Sequence, residues 1–190
     1  MPKKSKLLSL VMSIVLLFSV AFIPMGVASA EEELSEEDLE LIELLTAIEN
    51  MPDAIILQGE DAIKAHLESE VSFHLELNEN GESVVFRAAS VSSIAGCVGA
   101  VGTALVVNFT PAKILKIKSA LKSVGGATKF VKAVKPYYQM SREDKLSKTA
   151  SLNQAVRLAA KDAGPDTREA LLDLFGVSSV VGSCAAAFGN

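Results

Sequence analysis

The sequence predicts a mainly α protein. The expected fold is a small bundle of about six short helices after an N-terminal export signal, with one β-hairpin in the N-terminal half. Three observations lead there. Apolar residues recur at i, i+3, i+4 and i+7 through most of the chain. Strict apolar–polar alternation occurs once, on either side of Asn80-Gly81. Helix stop and start signals (Met51-Pro52, Thr110-Pro111, Gly125-Gly126, Gly164-Pro165) punctuate the periodic stretches.

The first 30 residues read as a secretory signal peptide. Lys3, Lys4 and Lys6 form a positive start, Leu7 to Ile23 is an almost unbroken apolar run, and Ala28-Ser29-Ala30 is a small-residue cleavage site. Cleavage after Ala30 would begin the mature chain at Glu31, and the expected destination is extracellular. A transmembrane anchor is the competing reading, but the abrupt polar switch after Ala30 fits cleavage better.

Charge is sorted along the rest of the chain. Residues 31–90 hold 17 acidic residues and two basic ones, Lys64 and Arg87; residues 91–190 hold six acidic and 13 basic. The expected organisation is therefore an acidic segment, 31–90, resembling a pro-region and packing on a basic Gly/Ala-rich helical domain, 91–190.

In the acidic segment, Ser35 can cap a helix whose stripe is Leu41, Leu44, Leu45 and Ile48, ended by Asn50-Met51-Pro52. A second short helix is expected from Glu60 to Glu68, with Ala62, Ile63 and Leu67 inward. The hairpin is expected over 71–88. An Asn80-Gly81 type I′ turn pairs Leu77 with Val84, Leu75 with Phe86 and Phe73 with Ala88, all on one face.

The basic domain opens on an uncharged run from Ala88 to Ala112. Its stretch to Phe109 is long enough to cross a bilayer, and Gly96, Gly99 and Gly102 permit close helix approach. A buried central helix of a soluble bundle fits equally. Two short helices come next, started by Thr110-Pro111 and by Thr128. Apolar residues (Ile114, Ile117, Leu121, Val124; then Phe130, Val131, Val134) line one side of each. Lys113, Lys116, Lys118 and Lys122, then Lys129, Lys132 and Lys135, occupy the other. Pro136 is expected to break or kink the second, leaving Tyr137 and Tyr138 beyond it. Lysines with flanking tyrosines suit an anionic membrane surface; ordinary surface helices look the same. A polar connection, 141–148, leads to a helix striped by Leu152, Ala155, Val156, Ala159, Ala160 and Ala163. Gly164-Pro165 starts the next, with Ala170, Leu171, Leu174 and Phe175 inward. An uncharged terminal helix carries Val177, Val180, Val181, Cys184, Ala185 and Phe188.

Export implies an oxidising setting, so Cys97 and Cys184 are expected to form one disulfide stapling the two most apolar segments; two separate buried thiols are the alternative. His66 and His74 lie in different elements with no ligand cluster around them and read as surface residues, so no metal site is expected. No G-x-S-x-G, H-E-x-x-H or P-loop is present. The expectation is a non-enzyme with no cofactor and no nucleic-acid partner.

The Lys-rich signal ending in Ala28-Ser29-Ala30, the acidic segment 31–90, and the cationic Gly/Ala-rich segment bearing Cys97 and Cys184 give a layout that resembles secreted bacteriocin precursors of Gram-positive bacteria. The resemblance implies release of an active C-terminal part, by processing near Arg87 to Ser93, that damages the membranes of competing bacteria. It also implies an immunity protein as a partner. The chain departs from that class in the length of its basic half, about 100 residues, which points to a small helical domain rather than a simple peptide. The alternative is a secreted helical interaction domain that is never processed.

Overall fold

A computed structural model describes residues 34, 36–72, 74–77, 84–87 and 93–189 of the 190-residue chain. The signal segment with Ala30, the Asn80-Gly81 turn and the Phe73–Ala88 pair lie outside the described residues.

Helix α1 is Glu36–Asn50. Its stripe of Leu41, Leu44, Leu45 and Ile48 is fully buried, which is what an amphipathic repeat of 3.6 residues does when one side meets a core. Asn50 ends it, and α2, Asp53–Gln58, comes at once. This short helix has no sequence repeat to reveal it. Gly59, at φ 95°, separates α2 from α3, Glu60–Glu70. Met51, Ile56, Ile63, Leu67 and Val71 complete the apolar contribution of these three helices to the core.

Two four-residue strands come next, β1 (His74–Leu77) and β2 (Val84–Arg87), antiparallel, with Leu77 opposite Val84 and Leu75 opposite Phe86. The expected fold class is corrected here. The described residues form a nine-helix fold, not about six helices with a β-hairpin. Among the described residues the expected start of the hairpin at Val71 and Ser72 is not strand, and pairing is described only for 74–77 with 84–87. Val71 instead caps α3, its N–H donating to the carbonyl of Leu67. The described ladder, four residues a side, is too short to stand as a layer, and the described residues are mainly helical in class.

The remaining six helices are α4 (Ser93–Asn108), α5 (Pro111–Ser123), α6 (Ala127–Glu143), α7 (Lys148–Ala159), α8 (Pro165–Gly176) and α9 (Ser178–Ala187). Thr110-Pro111 starts α5 as expected, with proline in the first turn. The stop after it needs glycine twice. Gly125 and Gly126 have φ 90° and 97°, a region closed to most side chains, and their N–H groups donate to Lys122 and Leu121 carbonyls at 3.2 and 2.9 Å, closing the helix end.

Helix α6 continues through Pro136 rather than breaking there, and carries Ser141 inside it. Proline leaves the Lys132 carbonyl without its helical donor. Both residues are exposed, so water can satisfy that oxygen. Meanwhile Phe130, Val131, Val134 and Tyr138 continue one buried stripe across the proline. Ser141 returns its hydroxyl to the Tyr137 carbonyl at 2.8 Å, so the polar connection begins later than its composition suggests. The α7–α8 turn is held by Arg168, whose guanidinium donates to the carbonyls of Ala160, Lys161 and Ala163 at 2.9–3.2 Å.

Helix α4 is the centre of the packing. Cys97, Val98, Val101, Ala104, Leu105 and Val106 are buried, with α9 packed along α4 and α1, α3 and α8 also against it. Helices α5 and α6 both meet α1, α5 meets α2 and α8, and α6 and α7 pack side by side. Phe130 and Phe175 stack obliquely at 5.6 Å between α6 and α8.

Candidate functional site

The Cys97–Cys184 disulfide is formed, with Cα atoms 4.4 Å apart. It joins α4 to α9, the two uncharged helices. They pack closely there: a Cβ on Gly96 would stand 3.8 Å from Ser183, an ordinary contact distance. Among the described residues no single helix is long and apolar enough to cross a membrane. Helix α4, at 16 residues, would reach only about 24 Å at 1.5 Å per residue. In this structure the described part of the uncharged run is a helix, Ser93–Asn108, packed into the core through Cys97, Val98, Val101, Ala104, Leu105 and Val106.

The lysines divide into two sets. Lys116, Lys122, Lys129 and Lys132 are exposed; Lys129 lies over the Gly125 turn. The other three are engaged. Lys113 pairs with Asp173 of α8 and stands 5.6 Å from the centre of the Phe109 ring. Lys118 is only 14% exposed; it pairs with Asp53 and donates to the Met51 carbonyl at 2.6 Å. Lys135 pairs with Asp38, 3% exposed, at 3.2 Å. Tyr137 is partly buried against the core. Tyr138 is 1% exposed, and its hydroxyl donates to the Ala185 carbonyl at 3.1 Å. Burial raises its pKa, with Arg142 opposing. Lys118, Lys135 and Tyr138, expected on a membrane-facing surface, are engaged within the fold in this structure, Lys118 by the exposed Asp53, Lys135 by the buried Asp38 and Tyr138 by Ala185. The three oxygens that hold Lys118 and Lys135 (Met51 O, Asp53 Oδ1 and Asp38 Oδ2) belong to the acidic segment.

A third carboxylate acts on a helix end. Glu49, near the end of α1, accepts from the backbone N–H of Ala127 at 2.8 Å. An anion at a helix N-terminus is favoured by the unpaired N–H groups and by the macrodipole. Asp38, Glu49 and Asp53 therefore act together across the charge seam. The sorting of charge signals such complementarity, but which carboxylates carry it depends on tertiary placement that no local pattern encodes.

Asp53 has its carboxyl held below the ordinary range, first by the hydrogen bond from Lys118, then by the Lys118 charge, with Lys122 adding to it against a small desolvation effect. A lowered pKa in the folded state means the pair stabilises above the ordinary carboxyl pKa. That contribution is lost as pH falls through roughly 4 and below. Asp53→Asn is expected to lower Tm slightly at pH 6 and to lower it less at pH 3. Thermal melts of both proteins at the two pH values check this, and an equal loss at both would contradict it.

Arg87 closes β2 opposite His74, and His66 sits half-buried on α3. Among the described residues no group of three or more His, Cys, Asp or Glu side chains is placed to hold a metal. An open groove of about 410 Å³ between α5 and α8 is lined by Lys113, Lys116, Asp166, Glu169 and Asp173, charges of both signs without a dominant one. Comparison with known proteins gives no match: no family model, no curated protein and no solved structure is significantly similar to this chain.

Proposed function

We propose that the protein is a secreted, bacteriocin-like antimicrobial precursor, exported by cleavage after Ala30. In this reading the cationic helical domain 91–190 binds and perturbs anionic bacterial membranes, and the acidic segment 31–90 keeps it latent. One observation carries the reading. The acidic helices occupy the lysines and fill the core of the basic domain at the same time: Asp53 and Asp38 hold Lys118 and Lys135, Glu49 holds the start of α6, and Leu41, Leu44, Leu45, Ile48, Met51 and Ile56 are buried beside them. Removing them would free two cations and expose a broad apolar face together, the combination that drives amphipathic helices into an anionic interface. An immunity protein in the producing cell is the expected partner.

Processing near Arg87 to Ser93 is the proposed trigger. Mass spectrometry of secreted material is expected to find a species beginning between residues 88 and 93. An active preparation holding only a chain that begins at Glu31 would contradict the trigger.

The same burial favours a second reading, a secreted helical interaction domain that is never cut, since α1 is as deeply embedded as any helix of the basic domain. The two part company on vesicles. A mature chain with a protease-recognition sequence inserted between Ser90 and Val91 can be tested intact and nicked. The second reading expects no permeabilisation from either form.

A further inference from the structure

We infer that the membrane-crossing element of this protein is α8 and α9 joined into one continuous helix, with Val177 as the hinge. The inference rests on the membrane-active reading above and deepens it by naming the segment that inserts. In the folded chain the two helices are bent by 81°. A single residue separates them: α8 ends at Gly176, α9 begins at Ser178, and Val177 alone is extended, at φ −60° and ψ 132°. Its φ is already helical. Rotation about one ψ angle joins Pro165–Gly176 to Ser178–Ala187.

The joined helix is longer than α4. Of its 23 residues from Pro165 to Ala187, the first five carry Asp166, Arg168 and Glu169 and would stay with the head groups; the 18 from Ala170 to Ala187 span about 27 Å, against a hydrocarbon core of about 30 Å. Taken together the two helices are long and apolar enough to cross a bilayer, which no single described helix is. From Ala170 to Ala187 the only charge is Asp173. It lies about one turn from the end of that stretch, where it already faces a cation, Lys113 of α5. Lys113 and the exposed Lys116 of the same helix are placed to remain with the head groups as the span enters. The disulfide adds a consequence. Cys184 is on α9, so α4 stays fastened to the inserting helix, and the uncharged α4 accompanies it.

Two variants of the mature chain, nicked between residues 90 and 91, test this on vesicles containing phosphatidylglycerol. Val177→Pro suits the folded state, where φ is −60° and the N–H makes only one long bond, 3.4 Å to the Leu174 carbonyl. In a continuous helix the same proline removes a hydrogen bond and clashes with the Asp173 carbonyl, so dye release is expected to fall by about tenfold or more. The second variant, Ser179→Trp, reports depth in a chain that has no other tryptophan. Ser179 is exposed in the fold, and its indole is expected to be quenched by lipids brominated deep in their acyl chains. Leakage by the parent with no deep quenching of S179W, or with undiminished leakage from a folded V177P, overturns the hinge and leaves the membrane reading standing. No vesicle binding by any nicked form overturns both.

Discussion

Cys97→Ala/Cys184→Ala is expected to lower stability by about 4 kcal/mol, the chain-entropy value for a loop of this size. The two cysteines are 87 positions apart in sequence and both are wholly buried. For a domain of this length that corresponds to a fall in Tm of about 10 °C. Alanine is preferred to serine because a hydroxyl left between α4 and α9 would be buried without a partner, a separate cost. The bridge is also expected to resist reduction in the folded protein, since thiol exchange requires a thiolate to reach the sulfur. Thermal melts of the variant, and thiol labelling of the parent under reductant with and without denaturant, check both parts. A Tm unchanged from the parent would show that packing of α4 on α9 alone sets the stability.

Leu45→Ala is expected to cost about 3 kcal/mol. Leu45 is 0% exposed on α1, and truncating a buried leucine loses both transfer energy and contacts around the cavity. Leu39→Ala, on the same helix but 49% exposed, is expected to stay within about 0.5 kcal/mol. The informative readout is where the loss is seen. The chain has no tryptophan and two tyrosines, adjacent on α6, so near-ultraviolet dichroism reports mainly on the basic segment, with added signal from phenylalanine and the Cys97–Cys184 disulfide. If acidic and basic segments form one cooperative unit, L45A shifts the tyrosine transition and the far-ultraviolet transition together. A tyrosine transition left in place would mean that the acidic helices unfold separately from the domain they cover.

Much of the helical fold was legible because burial and periodicity coincide. The stripe of Leu41, Leu44, Leu45 and Ile48 could face only a core, and Thr110-Pro111 and Gly125-Gly126 mark helix ends by backbone chemistry that needs no tertiary information. The cysteine pairing was legible from the oxidising setting that an export signal would imply and from the apolar positions of Cys97 and Cys184. Other features were hidden for physical reasons. Helix α2 is six residues long, shorter than two turns, so no periodicity can declare it. Pro136, read as a terminator, cut Tyr138 from a stripe to which it belongs. Counted from Phe130 and Val134, it falls on the same side at i+8 and i+4, and it is buried there. Lys118 and Lys135 show a limit of wheel arguments. Separation of lysines from apolar residues does not say whether the opposing charge is lipid, solvent or another helix of the same chain. Here the opposing charges are Asp53 and Asp38. The extended pairing was overvalued as architecture because alternation around Asn-Gly specifies a turn and a register, not the length of the ladder or its weight in the fold.

The central claim is that the acidic segment is a built-in cover, and release of dye from phosphatidylglycerol vesicles at low salt tests it most directly. The mature chain with a cleavable insert between Ser90 and Val91 is compared before and after nicking, at equal concentration and with the nick verified by mass. The account predicts little release from the intact chain and strong release after nicking, falling as salt screens the lysines. Equal release from both forms, or none from either, would contradict it.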